Sequence, residues 1–332
     1  MSATSQIAPV TQRSDEIARS LTGASMGRSR RFRNGAASVM MVVAFLVAAV
    51  PLVVMGAQVF SQGIAAVTSS GWWTSPIPET GRADLADNEQ MNDLGFGSPS
   101  GTSQSASDVV LGMAPAIVGT VLTVLGASLL AIPLGIMGAV YLHEYGKTGR
   151  LAKVIRFMTD VMTGVPSVIM GVFIYTVWVL PRGIDGRSAL AASLALACLM
   201  LPIVVRSTEE MLRLVPDNLR EASAALGTRT WKTTIKVVLP AAVAGITSGS
   251  LLAVARAAGE TAPVVFVIGF VKTTNWSFMG ANTTLSAQIY SQQQNGGALS
   301  TQLAWGAALT LVSIVLVLTL VARAISRRFS TQ

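Results

Sequence analysis

Long apolar runs, separated by polar stretches that carry most of the Lys and Arg residues, dominate this sequence. Of its 332 residues, 51% are hydrophobic and only 12% are charged, whereas soluble domains carry roughly a quarter of charged residues. A run of about 20 apolar residues is long enough to cross a bilayer as a helix. We therefore predict an all-α membrane protein with six transmembrane helices in one bundle.

The positions of the basic residues predict how these spans are oriented, because loops rich in Lys and Arg stay in the cytoplasm. Both chain ends and the loop 206–236 are basic, whereas the stretch 61–107 holds five acidic residues and one Arg. The predicted order is a cytoplasmic tail, a first span, an extracytoplasmic loop, a transmembrane domain of five spans and a short cytoplasmic tail: 1–34, 35–60, 61–107, 108–325 and 326–332. Inside the domain we predict spans at 108–142, 157–180, 188–205, 237–271 and 301–325, with 272–300 as an outside loop.

The charge and the rare residues exclude several other classes of protein. The formal net charge is +8, but the basic residues flank apolar runs, so the predicted partner is the lipid bilayer and not nucleic acid. Cys198 is the single cysteine and His143 the single histidine, which excludes an intramolecular disulfide and a multi-histidine metal site. Gly146-Lys147-Thr148 ends like a phosphate-binding loop, but Tyr141 occupies the position of its first Gly. We predict no catalytic residue, no metal and no cofactor bound by this chain.

The polar, basic segment from Val215 to Pro240 lies between two apolar runs. Asn218 is a suitable N-cap and Glu221 follows three residues later, as in a capping box. Gly227 is a helix stop. Between these signals, apolar residues recur at helical spacing: Leu219, Ala222 and Leu226. We predict a short amphipathic helix from about 219 to 226, and the pattern alone fits equally well a loop that lies on the lipid surface.

This segment resembles the EAA-loop signature of ABC importer membrane subunits. The matching residues are Glu221-Ala222, Gly227 and Leu239-Pro240, while Ser223 stands where the family usually has Ala and Val237 where Ile is common. The resemblance implies a coupling helix that docks on a cytoplasmic ABC ATPase dimer, which binds ATP and Mg²⁺. It implies a coupling role for seven residues: Asn218, Leu219, Arg220, Glu221, Ala222, Leu226 and Gly227.

Two charged residues, Arg256 and Glu260, lie deep in the predicted fifth span. A charge at the centre of a span costs roughly 3 kcal/mol unless it is paired or faces water. The i,i+4 spacing allows the two to pair on one helix face. Arg offers a planar fork that suits oxyanions, and Glu accepts a hydrogen bond from a protonated anion such as HPO₄²⁻. Thr261 adds a hydroxyl, so these three residues are the predicted substrate pathway; a purely structural ion pair is the alternative.

The run from Ala255 to Pro263, ARAAGETAP, resembles a segment of phosphate ABC transporter permeases of the PstA type. The resemblance extends over about Gly112 to Arg323. It implies a type I ABC importer bundle in a prokaryotic inner membrane, which moves inorganic phosphate by alternating access. It also implies two further partners: a second homologous permease of the PstC type and an extracytoplasmic phosphate-binding protein. Two alternatives remain, namely a permease for sulfate or molybdate and a membrane-embedded enzyme.

Overall fold

The computed structural model describes residues 28–78, 110–146 and 149–330, and every regular element in these ranges is helical. The all-α prediction is therefore confirmed. The chain divides into two compact units between Gln58 and Val59, inside the first helix. The α-helices are, in chain order, α1 (Arg28–Val67), α2 (Ala114–Val140), α3 (Arg150–Gly164), α4 (Ser167–Ile174), α5 (Ala189–Arg213), α6 (Asp217–Ala225), α7 (Thr230–Thr233), α8 (Leu239–Gly259), α9 (Ala262–Val267), α10 (Leu285–Asn295) and α11 (Ala298–Ser330).

Short π-helical and 3₁₀ turns lengthen three of these helices without a gap in the chain. The π-helical segment Tyr141–Gly146 continues α2, and the π-helical segment Thr234–Val238 leads into α8. After α4 come a π-helical turn at Tyr175–Val179 and a 3₁₀ turn at Leu180–Gly186. Helical structure of this length allows α2, α4 and α8 to reach further across a membrane than their α-helical parts alone.

Five helices in the described ranges are long and apolar enough to cross a membrane. They cover Phe32–Val67, Ala114–Gly146, Ala189–Arg213, Thr230–Gly259 and Ala298–Val321. A sixth span exists if Arg150–Gly164 and Ser167–Gly183, which are bent by 106°, are counted together. The span predicted at 157–180 is not one continuous helix: the chain bends between these two helices at Val165-Pro166, and Pro166 cannot donate a backbone hydrogen bond.

The fifth predicted span, 237–271, is also interrupted. Helix α8 ends at Gly259, Glu260 is extended, and the short helix α9 follows. The predicted outside loop 272–300 contains α10, whose buried side chains include Gln288 and Gln292. The apolar composition past 260 led to the longer prediction. Pro263 lacks the N–H group that a continuous helix requires, and it lies in the first turn of the new helix α9.

Three predicted boundaries differ from the observed ones at the chain ends and at the first loop. Helix α1 begins at Arg28, inside the predicted tail, and extends past 60 to Val67. Helix α11 continues through the predicted C-terminal tail to Ser330. Residues 1–27 and 79–109, which make up most of the predicted tail and of the predicted extracytoplasmic loop, lie outside the described ranges.

The core forms around α5, which packs against α2, α4 and α8. Small residues dominate the places where these helices meet, which allows the helix backbones to approach closely, as is common between membrane helices. The alanines of this core with at most 3% of their surface exposed are Ala127 and Ala131 of α2, Ala191, Ala192 and Ala195 of α5, Ala253, Ala257 and Ala258 of α8, and Ala287 of α10.

Helices α4 and α10 hold the break that follows α8. Gly171 of α4 lies so near to α9 that a Cβ atom there would come within 2.6 Å of the Pro263 backbone. From α10, the Ser286 hydroxyl donates to the carbonyl oxygen of Glu260 at 3.2 Å. The start of α10 is itself fixed to α2, because the Leu285 N–H donates to Oγ1 of Thr120 at 2.9 Å. The interruption beside Glu260 is thus held in place by helices that lie far from it in the sequence.

Candidate functional site

The segment between α5 and α8 forms the predicted short helix, with different ends. Helix α6 begins at Asp217, with Pro216 in the N-cap position, so the capping box of Asn218 and Glu221 was wrong. Pro216 has no backbone N–H to donate inside a helix, so it is tolerated only at the helix start, and α6 begins directly after it. The Gly227 stop is confirmed: its φ is +74°, in the left-handed region, and its N–H donates to the carbonyl oxygen of Ala224 at 2.9 Å.

A cluster of hydroxyl groups closes the turn after α6. Ser223 Oγ lies 2.5 Å from Oγ1 of Thr228 and 2.8 Å from Oγ1 of Thr233. Thr228 Oγ1 also donates to the carbonyl oxygen of Ser223 at 2.7 Å. Ser223 is the one buried residue of α6. The departure from the family pattern at this position therefore adds a polar bridge from α6 to α7.

Six of the seven residues predicted to contact an ATPase are exposed on this segment. Of the two leucines among them, Leu226 is the more exposed, at 83%, against 40% for Leu219. The six are Asn218, Leu219, Glu221, Ala222, Leu226 and Gly227. The apolar stripe of α6 is thus exposed on the surface of the chain and does not pack on the chain's own core. A partner protein can cover this surface.

Arg220 is the exception, since its side chain points into the protein and is only 19% exposed. Its guanidinium donates to Oε1 of Glu144 at 3.0 and 3.3 Å, and Glu144 is 8% exposed. It also donates to the carbonyl oxygens of Leu212 and Val215 at 3.0 and 2.8 Å. Further partners are Asp217 and His143 Nε2. Arg220 therefore ties α6 to the end of α5 and to the π-helical segment after α2.

A second arginine, Arg156 of α3, reaches the same π-helical segment. It donates to the carbonyl oxygen of Leu142 at 3.0 Å and to Oε1 of Glu209 at 3.0 and 3.1 Å. Glu209 also accepts from Arg213 at 3.2 Å. Arg156 and Arg220 line one cavity of about 330 Å³. The sequence shows that acidic and basic residues occur near the helix ends. It does not show which carboxylate pairs with which arginine, because that depends on the tertiary packing. Glu144 and Glu209 were therefore not among the predicted site residues.

The second predicted site lies at the far end of α8, about 25 Å along that helix from Leu239. Arg256 Nε is 3.5 Å from Oε1 of Glu260, so the predicted pair does form. The Arg256 side chain is 64% exposed and that of Glu260 is 20% exposed. Thr261 is half-buried and occupies the N-cap position of α9. The three residues therefore lie together, but at a helix break and not within a continuous helix.

The surroundings of Arg256 and Glu260 leave the guanidinium open on the surface of the chain. The pair borders a shallow depression against Leu199 and Ile203 of α5. The Arg256 guanidinium is largely exposed on the surface of the chain, and it forms an ion pair there with the Glu260 carboxylate. Within the described ranges, no group of three or more His, Cys, Asp or Glu side chains is arranged to bind a metal.

Residues 131–331 match the family model of the binding-protein-dependent transport system inner membrane component. Among curated proteins, the chain is 42% identical over 294 residues to the phosphate transport system permease protein PstA 1 of Mycobacterium tuberculosis, covering 88% of each chain. It is 42% identical over 214 residues to the phosphate transport system permease protein PstA of Yersinia pestis, covering 64% of this chain and 72% of that one.

Solved structures show the same fold at low sequence identity. A chain of the MetNI methionine ABC transporter superposes with a TM-score of 0.51 at 20% identity, covering 64% of this chain and 91% of its own. A chain of a bacterial alginate ABC transporter superposes with a TM-score of 0.58 at 14% identity, covering 90% of this chain and 96% of its own. The chain belongs to the family of binding-protein-dependent transport system inner membrane components and, within it, to the PstA-type permease proteins.

Proposed function

We propose that this chain is the membrane-spanning permease subunit of an ATP-driven ABC importer for inorganic phosphate. The observation that carries the proposal is the exposed Arg256, paired with Glu260 at a helix break, in a chain that is 42% identical to proteins named as phosphate transport permeases. The same names make a sulfate or molybdate permease and a membrane-embedded enzyme the weaker alternatives. The chain is a transport subunit, and it lies in the inner membrane of a prokaryotic cell with both ends in the cytoplasm.

In this proposal Arg256 supplies the positive charge that a phosphate ion meets in the membrane. A guanidinium can donate two parallel hydrogen bonds to two oxygens of the anion, which orients it as well as attracting it. Glu260 adds selectivity, because an ionised carboxylate accepts a hydrogen bond from the P–OH group of HPO₄²⁻ but repels a sulfate ion, which has no proton to donate. Thr261 contributes a hydroxyl beside the pair.

The pathway itself would form at the interface with a second, homologous permease of the PstC type. Arg256 is 64% exposed on the surface of this chain, so an anion bound there can be enclosed only by another surface. Alternating access of that interface to the two sides of the membrane would then move the ion. An extracytoplasmic phosphate-binding protein would deliver it.

Energy would come from a cytoplasmic ABC ATPase dimer that binds ATP and Mg²⁺. The exposed stripe of α6, with Leu219 and Leu226, is the surface we assign to its docking. Gly227 ends that helix, and Asn218, Glu221 and Ala222 surround the stripe. Arg220 would transmit movement of the docked helix to the spans, because its hydrogen bonds join α6 to α5 and to the π-helical segment after α2.

Phosphate uptake tests the proposal directly. Cells that lack their own high-affinity phosphate system would receive this chain together with its ATPase, binding protein and partner permease. We expect high-affinity uptake of radiolabelled phosphate that excess sulfate does not inhibit, and no uptake when this chain is omitted. Uptake of sulfate in preference to phosphate would refute the substrate assignment, and the Glu260→Gln variant should weaken the discrimination between the two anions.

A further inference from the structure

Helix α3 presents an apolar surface that the rest of the described chain leaves uncovered. Ala152 and Thr159 face inward and are buried. On the other side an apolar stripe is exposed, each member at 45% or more: Leu151, Val154, Phe157, Met158 and Val161. At about 100° per residue these five positions fall within an arc of roughly 120° on the helix. The helix thus has one packed side and one apolar side open to its surroundings.

The charges of α3 show at which level of the bundle it lies. Four charged residues occur within its 15 residues: Arg150, Lys153, Arg156 and Asp160. Arg156 bonds to Glu209 and Asp160 to Arg206, both on the last two turns of α5. These are the polar turns that precede the coupling helix, so α3 lies beside the charged end of the α5 span.

The direction of α3 follows from the helix that comes after it. The segment Ser167–Gly183 begins near the charged end of α5 and leads within a few residues to the opposite end, at Ala189. Its length is about 25 Å, which matches the roughly 26 Å between residues 189 and 206 of α5. It therefore extends back along α5. Because α3 is bent by 106° from this segment, α3 lies across the direction of the spans.

We propose that α3 lies flat in the membrane–water interface and binds a bilayer surface that contains anionic lipid. The apolar stripe would enter the boundary between headgroups and acyl chains, as amphipathic interfacial helices do. Arg150, at the N-terminal end of the stripe, and Lys153, about 40° beyond its edge, are exposed and would contact anionic headgroups. The chain then crosses the membrane in this region with Ser167–Gly183 alone. This inference requires only that the chain spans a membrane, and it is independent of the transported substrate.

Depth measurements on the full-length chain, purified with the subunits that accompany it, test the orientation. Single cysteines at Leu151 and Val161, the two ends of the stripe, would be nitroxide-labelled in a Cys198→Ser background in nanodiscs of phosphatidylcholine and phosphatidylglycerol. Oxygen and nickel-chelate accessibility gives the depth of each label. We expect the two depths to agree within a few Å, while labels at Val168 and Val177 on the next segment differ by about 13 Å.

Two results would overturn the orientation. A depth difference of about 15 Å between Leu151 and Val161 would show that α3 crosses the membrane. Low accessibility of both labels to both reagents would show that another protein, not lipid, covers the stripe.

A second measurement tests the lipid class. A fluorophore on Val154→Cys should be quenched more strongly by brominated phosphatidylglycerol than by the same fraction of brominated phosphatidylcholine. The variant Arg150→Gln/Lys153→Gln should lose this preference, whereas Arg229→Gln/Lys232→Gln, which removes the same charge from the segment around α7, should keep it. A preference absent from the unmodified helix, or unchanged in the first double variant, would refute the binding of anionic lipid.

Discussion

Arg220 and Arg256 both face a carboxylate, yet their surroundings differ in almost every respect. Arg220 is 19% exposed and bonds to Glu144, to Asp217 and to two backbone carbonyl oxygens. Arg256 is 64% exposed and meets Glu260 at 3.5 Å. The donors of the first are used within the chain, and the guanidinium of the second is open to whatever approaches that surface.

This difference separates a structural arginine from one that is accessible to a ligand. A buried guanidinium whose donors are engaged stabilises the fold, and its removal leaves a buried carboxylate without its partner. The Arg256 guanidinium is largely exposed, and a charge inside a span costs roughly 3 kcal/mol unless it is paired or faces water, so stability alone does not account for an arginine at that place. Variants of the two residues should therefore fail in different assays.

The largest effect on transport is expected at Arg256. Arg256→Ala should eliminate phosphate uptake because it removes the guanidinium that we assign to the anion, while the change in folding stability stays smaller than for Arg220→Ala, because the Arg256 side chain is 64% exposed and that of Arg220 only 19%. Arg256→Lys should restore uptake only in part, since an ammonium replaces a bidentate fork. Uptake assays and thermal unfolding of the purified chain measure the two quantities.

The double variant Arg256→Ala/Glu260→Ala separates a transport role from a structural one. If the pair only neutralises charge in the bundle, removing both members should recover function, because no unpaired charge remains. A transport role predicts that the double variant folds, still binds its ATPase and transports nothing. Wild-type uptake by this variant would show that the Arg256–Glu260 pair is only structural, and that Arg256 does not differ from Arg220 in its role.

The next largest effect is expected on the exposed face around α6. Gly227→Pro should abolish transport while the chain still inserts, because proline fixes φ near −65° and Gly227 has a φ of +74°. Glu221→Lys should do the same by reversing a charge on the surface assigned to docking. Co-purification of the ATPase subunit is the measurement. If both variants retain the ATPase and transport normally, α6 is not the coupling element.

Arg220→Ala should act chiefly on stability. It leaves Glu144, which is 8% exposed, without its arginine partner, and we expect a loss of roughly 3–5 kcal/mol. Arg213→Ala is the matched control, because Arg213 is 63% exposed and bonds to Glu209 only at the rim; its cost should stay below about 1 kcal/mol. Thermal unfolding of the two variants compares them. Equal losses would mean that Arg220 is no more structural than a surface arginine.

The sequence predicted the parts of this molecule that follow from local patterns. Apolar length indicated the membrane helices, and Gly227 marked the end of α6. Prediction from the sequence failed where contacts between residues far apart in the chain determine the local structure. The break after Gly259 depends on packing against Gly171 of α4 and on the hydroxyl of Ser286, and the inward position of Arg220 depends on Glu144, which lies 76 residues away. No local periodicity reports such long-range interactions.

The smallest effect is expected at Ser223, which lies on α6 with Arg220 but makes neutral hydrogen bonds. In Ser223→Ala, Thr228 and Thr233 still face each other at 3.0 Å, and Thr228 still donates to the backbone of residue 223. No buried hydroxyl loses its last partner, so the cost should be about 1 kcal/mol or less, with uptake unchanged. Thermal unfolding and uptake of this variant, measured beside Arg220→Ala, would show whether α6 is held by its ion pair. A loss as large as that of Arg220→Ala would instead assign the attachment of α6 to its hydroxyl cluster.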